Sequence, residues 1–88
     1  MTQALQSLLA KAVNHLRDNQ LEQAEQLAQQ LLSGFPDEPE ASLLAAEVAR
    51  RRNATAIGLE RLDKAIGSNP EDARLLLRRA QFLFELQK

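Results

Sequence analysis

The chain contains no cysteine, tryptophan or tyrosine, a single histidine, and only three glycines, three prolines and three phenylalanines in 88 residues. Without cysteine there is no disulfide framework, no Cys/His zinc site and no haem held through thioether bonds. Gly34, Gly58 and Gly67 stand alone, so no glycine-rich loop is available to cradle a phosphate. Val, Ile and Thr together number six, which argues against a sheet. No apolar run approaches the ~20 residues that cross a bilayer. The opening Met1-Thr2-Gln3-Ala4-Leu5 lacks the basic start and apolar stretch of a signal peptide, so the expected compartment is the cytoplasm and no membrane partner is expected. An excess of one charge is also missing, with 11 basic groups against 12 acidic. Residues 1–44 carry two cations and six anions, and residues 45–88 carry nine and six, so the halves stand at −4 and +3. Such a mild dipole falls short of the strongly basic surface that general nucleic-acid binding needs.

What is abundant is leucine, 17 residues, and alanine, 14, both strong helix formers. They are arranged with a period of 34. Leu9, Leu43 and Leu77 are in register, as are Ala12, Ala46 and Ala80. Asn19 matches Asn53, Ala24 matches Gly58, Leu32 matches Ile66, Pro36 matches Pro70, and Asp37-Glu38 matches Glu71-Asp72. Within each period the apolar residues recur every three or four positions, as in Leu5, Leu8, Leu9, Ala12, Val13 and Leu16. The spacing predicts five helices near 3–17, 21–33, 39–52, 54–67 and 71–87. Asn19 and Asn53 fall where a helix must end in a left-handed residue. Pro36, Pro39 and Pro70 are expected at helix entries. Asp37, Glu38, Glu40, Glu71 and Asp72 are expected at the positive ends of the helices that follow. Short connections make successive helices antiparallel.

Two helices per 34 residues, small residues at fixed points and a closing proline resemble the tetratricopeptide repeat. The resemblance spans the chain as repeat one (about 5–38), repeat two (about 39–72) and the first helix of a third, 71–87, in a single domain 1–88. Ala12, Ala46 and Ala80 match the small residue late in the family's first helix, and Ala24 and Gly58 the one early in its second. The small residue near the end of that second helix is Ala65 in repeat two and Leu31 in repeat one. The large aromatic of the first helix is replaced by His15, Ala49 and Leu83, and the turn glycine by Asn19 and Asn53. The resemblance implies an all-α, right-handed solenoid of antiparallel helix hairpins that binds a protein or peptide in a concave groove, with no cofactor and no metal.

Catalytic constellations are scarce. His15 and Asp18 are three apart on one helix, but no nucleophile accompanies them, and the ring reads as a packed structural group. Glu38 and Glu40 read as helix-start charges rather than paired acids. Arg50-Arg51-Arg52 closes the third helix, and Arg74, Arg78 and Arg79 lie on the fifth. Carried over by register, the groove positions implied by the resemblance are Gln6, Leu9, Val13, Leu16 and Arg17; Glu40, Leu43, Glu47, Arg50 and Arg51; and Arg74, Leu77, Arg78, Gln81 and Phe84. That set suits a peptide or helix with apolar anchors and an acidic flank. The carboxylate clamp of chaperone-binding members is not expected, because Leu9, Val13 and Leu44 stand in three of its places and only Arg74 and Arg78 match.

The fifth segment is apolar around much of its circumference, through Leu75, Leu76, Leu77, Phe82, Leu83, Phe84 and Leu86. A terminal repeat ordinarily turns a polar face outward. Two expectations follow. The chain is the N-terminal part of a longer protein, or Phe82, Leu83 and Leu86 mediate self-association in a homodimer. The alternative function is a homodimerising or scaffolding segment that orients a larger enzyme, such as a bacterial transferase.

Overall fold

Helix punctuation repeats along the backbone. In the computed structural model, which describes residues 2–87, Asn19 and Asn53 have φ of 59° and 63°. At both, the chain closes a helix and reverses. Gln20 N–H donates to the His15 carbonyl at 2.7 Å, and 34 residues on Ala54 N–H donates to Ala49 at 2.8 Å. The Asn19 and Asn53 amides bond to Leu16 and Arg50, both at 3.0 Å. These bonds satisfy carbonyls that a helix end leaves without partners.

The helices are α1 (Thr2–Arg17), α2 (Leu21–Gly34), α3 (Pro39–Arg51), α4 (Thr55–Ser68) and α5 (Ala73–Gln87). No strand occurs among the described residues. The bounds of α2 and α4 coincide under a shift of 34. Two expectations about helix starts are corrected. Helix α5 begins at Ala73, not 71, because the Asp72 carboxylate accepts the Arg74 and Leu75 amides at 2.9 and 3.4 Å and so caps the helix from outside it. Of the prolines, only Pro39 occupies a first turn, while Pro36 and Pro70 lie in the connections.

Each helix packs on its neighbours in sequence, and α3 also touches α1 and α5. The result is two layers, α1–α3–α5 and α2–α4, in a body 17 Å across its shortest dimension. The backbones of α2 and α4 do not meet, so α3 is the common floor beneath both. One core cluster joins Leu16, Ala24, Ala28, Ala45 and Val48. A second joins Ala46, Leu62, Ala65, Leu75 and Phe82. The third is Leu5, Ala12, Leu31 and Ala41. Burying a leucine or phenylalanine fully contributes about 1.5–3 kcal/mol, and a chain this thin depends on few of them.

The alanines and Gly58 set the spacing between helices. A Cβ at Gly58 would stand 2.6 Å from Phe82 Cε2 and 2.9 Å from the Ala46 carbonyl oxygen. Helix α4 therefore rests directly on the backbone of α3, and the Phe82 ring fills the space where a side chain would have been.

Candidate functional site

The side of the α1–α3–α5 layer turned away from α2 and α4 carries a continuous shallow groove. One depression of about 470 Å³ is lined by Leu9 and Val13 of α1, Glu40, Leu43, Leu44 and Glu47 of α3, and Arg74 and Arg78 of α5. A second, about 400 Å³, continues it past Glu47, Arg50, Arg78, Gln81 and Phe84 to Glu85. Glu47 and Arg78 belong to both. Helical spacing places Leu9 one turn from Val13, and Leu43 one turn from Glu47, with the same side presented. Of the lining residues Val13 is 48% and Phe84 62% exposed, so large apolar surface remains in water along this side, whereas Leu77, expected in the groove and 62% exposed, lines neither depression.

Glu47 is the electrostatic hub. Its carboxylate accepts two bonds from Arg50, at 2.6 and 3.1 Å, and one from Arg51 at 3.2 Å, while Arg78 stands 3.7 Å away. Partial burial pushes the Glu47 carboxyl up. The Arg50 hydrogen bond and charge, with those of Arg51, outweigh it and hold the group below the ordinary carboxylate range. The hydrogen bonds that Arg50 donates to Glu47 hold the Arg50 guanidinium above its ordinary value. Glu85 approaches Arg50 at 3.8 Å, and Asp72 pairs with Arg74 at 3.0 Å. The Arg74 hydrogen bond keeps Asp72 below its ordinary value. The arginines are thus shared among internal carboxylates, not presented as a bare basic patch. The Arg78–Glu47 and Arg50–Glu85 separations exceed hydrogen-bond length, which leaves donor capacity on the groove.

The structure brings together most of the expected groove positions: Leu9, Val13, Leu43, Glu47, Arg50, Arg74, Arg78 and Phe84 line the two depressions. Arg51 is turned partly back, with its guanidinium donating to the Leu16 carbonyl at 3.2 Å, where it meets the negative end of α1. Leu16 is corrected. It is 5% exposed and packs with Ala24, Ala28, Ala45 and Val48, because α3 lies beside α1 and covers it. Phe82 is corrected as well. At 1% exposure it sits in the core against Gly58 and Ala46, so of the expected self-association residues Leu86 is exposed and Leu83 half-buried. His15 is half-buried, and its Nδ1 lies 2.7 Å from Gln20 Oε1 instead of engaging Asp18.

The strongest polar constellation lies on the other side, and nothing local in the sequence announces it. Arg61 of α4 bonds the Glu25 carboxylate of α2 twice, at 2.6 and 3.0 Å, and the Ala45 carbonyl of α3 at 2.8 Å. Glu25 is buried, and the Arg61 hydrogen bond holds it below the ordinary carboxylate range against the opposing effect of burial. The partners are 36 residues apart. Only the repeat period, which sets position 25 beside position 59, hints that they meet. No group of three or more acidic or histidine side chains is placed to hold a metal ion among the described residues, and none of the helices is long and apolar enough to cross a membrane.

Comparison with family models, with curated proteins and with solved structures gives no match.

Proposed function

We propose that this chain is a tetratricopeptide-like stack of helix hairpins, and that the α1–α3–α5 side binds an extended or helical segment of a partner protein. The observation that carries this reading is the groove itself, in which Leu9, Val13, Leu43 and Phe84 flank Arg50 and Arg78, whose 3.8 and 3.7 Å separations from Glu85 and Glu47 leave N–H donors for a further acceptor. A partner side chain that enters between Val13 and Leu43 removes apolar surface from water on both sides. An acidic residue next to it joins Glu47 and Glu85 on Arg50 and Arg78. The helices are already packed, so little ordering is required of the receptor. The reading assigns no catalysis, cofactor or metal.

Selection from a random peptide library supplies the test. Recovered peptides should carry a large apolar residue near Asp or Glu. Their binding should fall at least tenfold in Val13→Glu and Phe84→Glu and persist in Gln26→Glu, which changes an exposed residue of α2. Peptides that bind all three variants as they bind the parent protein would refute the groove as the site.

A further inference from the structure

The repeat assigns the same small residue to three helices, but the structure covers only two of them. Ala12 is fully buried by α2 and Ala46 by α4, whereas Ala80, at the same register of α5, is exposed. Around Ala80 the helix presents a second face. At 100° per residue, Ala73, Leu76, Leu77, Leu83, Phe84 and Gln87 all fall within about 60° of it. None of these is charged. Arg74, Arg78, Arg79 and Glu85 lie outside that sector, and Leu75 and Phe82 point to the core on the opposite side. Residues 73, 76, 80, 83 and 87 alternate in steps of three and four, the spacing of a helix–helix seam. Leu76 is 45% exposed despite its central place there.

We propose that two copies of this chain associate through this face, α5 against α5 and antiparallel, about a two-fold axis at Ala80. The occupant is indicated by what the same register accepts inside the molecule. At Ala46 the incoming helix brings Gly58, since even a methyl group there would stand 2.9 Å from the Ala46 carbonyl. A helix docking at Ala80 likewise needs a small residue opposite, and on a two-fold axis α5 supplies Ala80 itself. The flanks are self-complementary too. Three residues either side, Leu77 faces Leu83 of the partner copy, and four residues either side, Leu76 faces Phe84. Seven residues out, Ala73 meets Gln87. Each large apolar side chain finds an apolar partner, as an isologous interface requires. The contact is one helix wide and small for a stable dimer, so association depends on concentration. The seam shares Phe84 with the groove, but Leu76, Ala80 and Leu83 lie outside the groove depressions and Val13 lies outside the seam, so variants at positions 80 and 13 separate the two surfaces.

Light scattering behind size exclusion, with refractive-index detection, tests this over about 10 μM to 1 mM, a span that brackets weak to moderate dimers. The mass should climb from 9.8 kDa toward twice that value. Ala80→Glu should remain at the monomer mass with unchanged helical circular dichroism, and Val13→Glu should dimerise as the parent does. The absence of cysteine gives a second readout that does not depend on the charged variant. Ala80→Cys should form a disulfide-linked dimer on mild oxidation, and Gln26→Cys should not. A monomer mass throughout, a dimer that survives Ala80→Glu, dissociation by Val13→Glu, or equal cross-linking at positions 26 and 80 would each overturn the proposal.

Discussion

Gly58→Ala isolates the close approach of α3 and α4. In a solvent-exposed helix interior this change stabilises by about 1 kcal/mol, because glycine has more conformational freedom to lose. Here the added methyl meets Phe82 Cε2 at 2.6 Å and the Ala46 carbonyl at 2.9 Å. The ring is buried and the carbonyl belongs to the backbone of α3, so neither yields without moving a helix. Overpacking of this kind costs about 1–3 kcal/mol, and two simultaneous contacts place it toward the upper end. The expected net loss is about 1–2 kcal/mol, which lowers the midpoint of thermal unfolding by about 5–15 °C for a domain of this size. Circular dichroism is the appropriate probe because the chain has no tryptophan or tyrosine. Gly67→Ala, on the same helix with nothing within 4 Å of the new methyl, is the control and should be neutral or stabilising. Combining Gly58→Ala with Phe82→Leu should cost less than the sum of the two single changes, since the smaller side chain vacates the contested space. A Gly58→Ala protein as stable as its parent would refute the close-approach argument.

Three further outcomes are expected. Arg61→Ala should destabilise by about 1–3 kcal/mol in urea unfolding, because it leaves the buried Glu25 only the Gln29 hydrogen bond and Arg52 at 4.0 Å, and Glu25→Leu combined with Arg61→Leu should cost less than Arg61→Ala alone. The carboxyls of Glu25 and Glu47 are held below their ordinary range in the folded chain, so the unfolded chain binds protons first as pH falls. Their contribution is complete above the ordinary carboxylate range and declines as acid titrates through the lower folded values, so melting temperature should drop between pH 6 and pH 3 and drop less steeply in Glu25→Gln. Asn53→Ala should cost about 1 kcal/mol in thermal unfolding while Asn53→Gly costs nothing, because φ is 63° at that position.

The elements were legible where one residue acts on its own backbone. Asn19 and Asn53 ended helices where the sequence indicated, and the period of 34 located α2 and α4 in the same register. Asp72 stands at the positive end of α5 as expected, but the helix starts at Ala73 and not at 71, because a carboxylate near a helix start reads alike whether it lies inside the first turn or caps it from outside. The groove was legible as a set of register positions. Its charge state was not, since the pairing of Arg50, Arg51 and Arg78 with Glu47 depends on side-chain reach between helices. Leu16 and Phe82 share their repeat registers with residues of quite different exposure. Leu16 corresponds to Phe84, which is 62% exposed, so the register alone does not say which copy is covered. Burial depends on whether another helix lies alongside, and that is a property of place in the stack.

The Glu25–Arg61 clamp changes how such a stack comes apart. In a one-dimensional array each unit feels only its immediate neighbours, and the ends open independently. Here a pair of side chains spans two helices whose backbones never touch, and it passes over the Ala45 carbonyl on the way. Releasing α2 therefore leaves Arg61 of α4 with only the Ala45 carbonyl, and releasing α4 leaves Glu25 of α2 with only Gln29 and Arg52 at 4.0 Å. The central three helices behave as a single cooperative unit in consequence. Amide hydrogen exchange should show α2, α3 and α4 opening together with one common free energy, and α1 and the far end of α5 opening at lower cost.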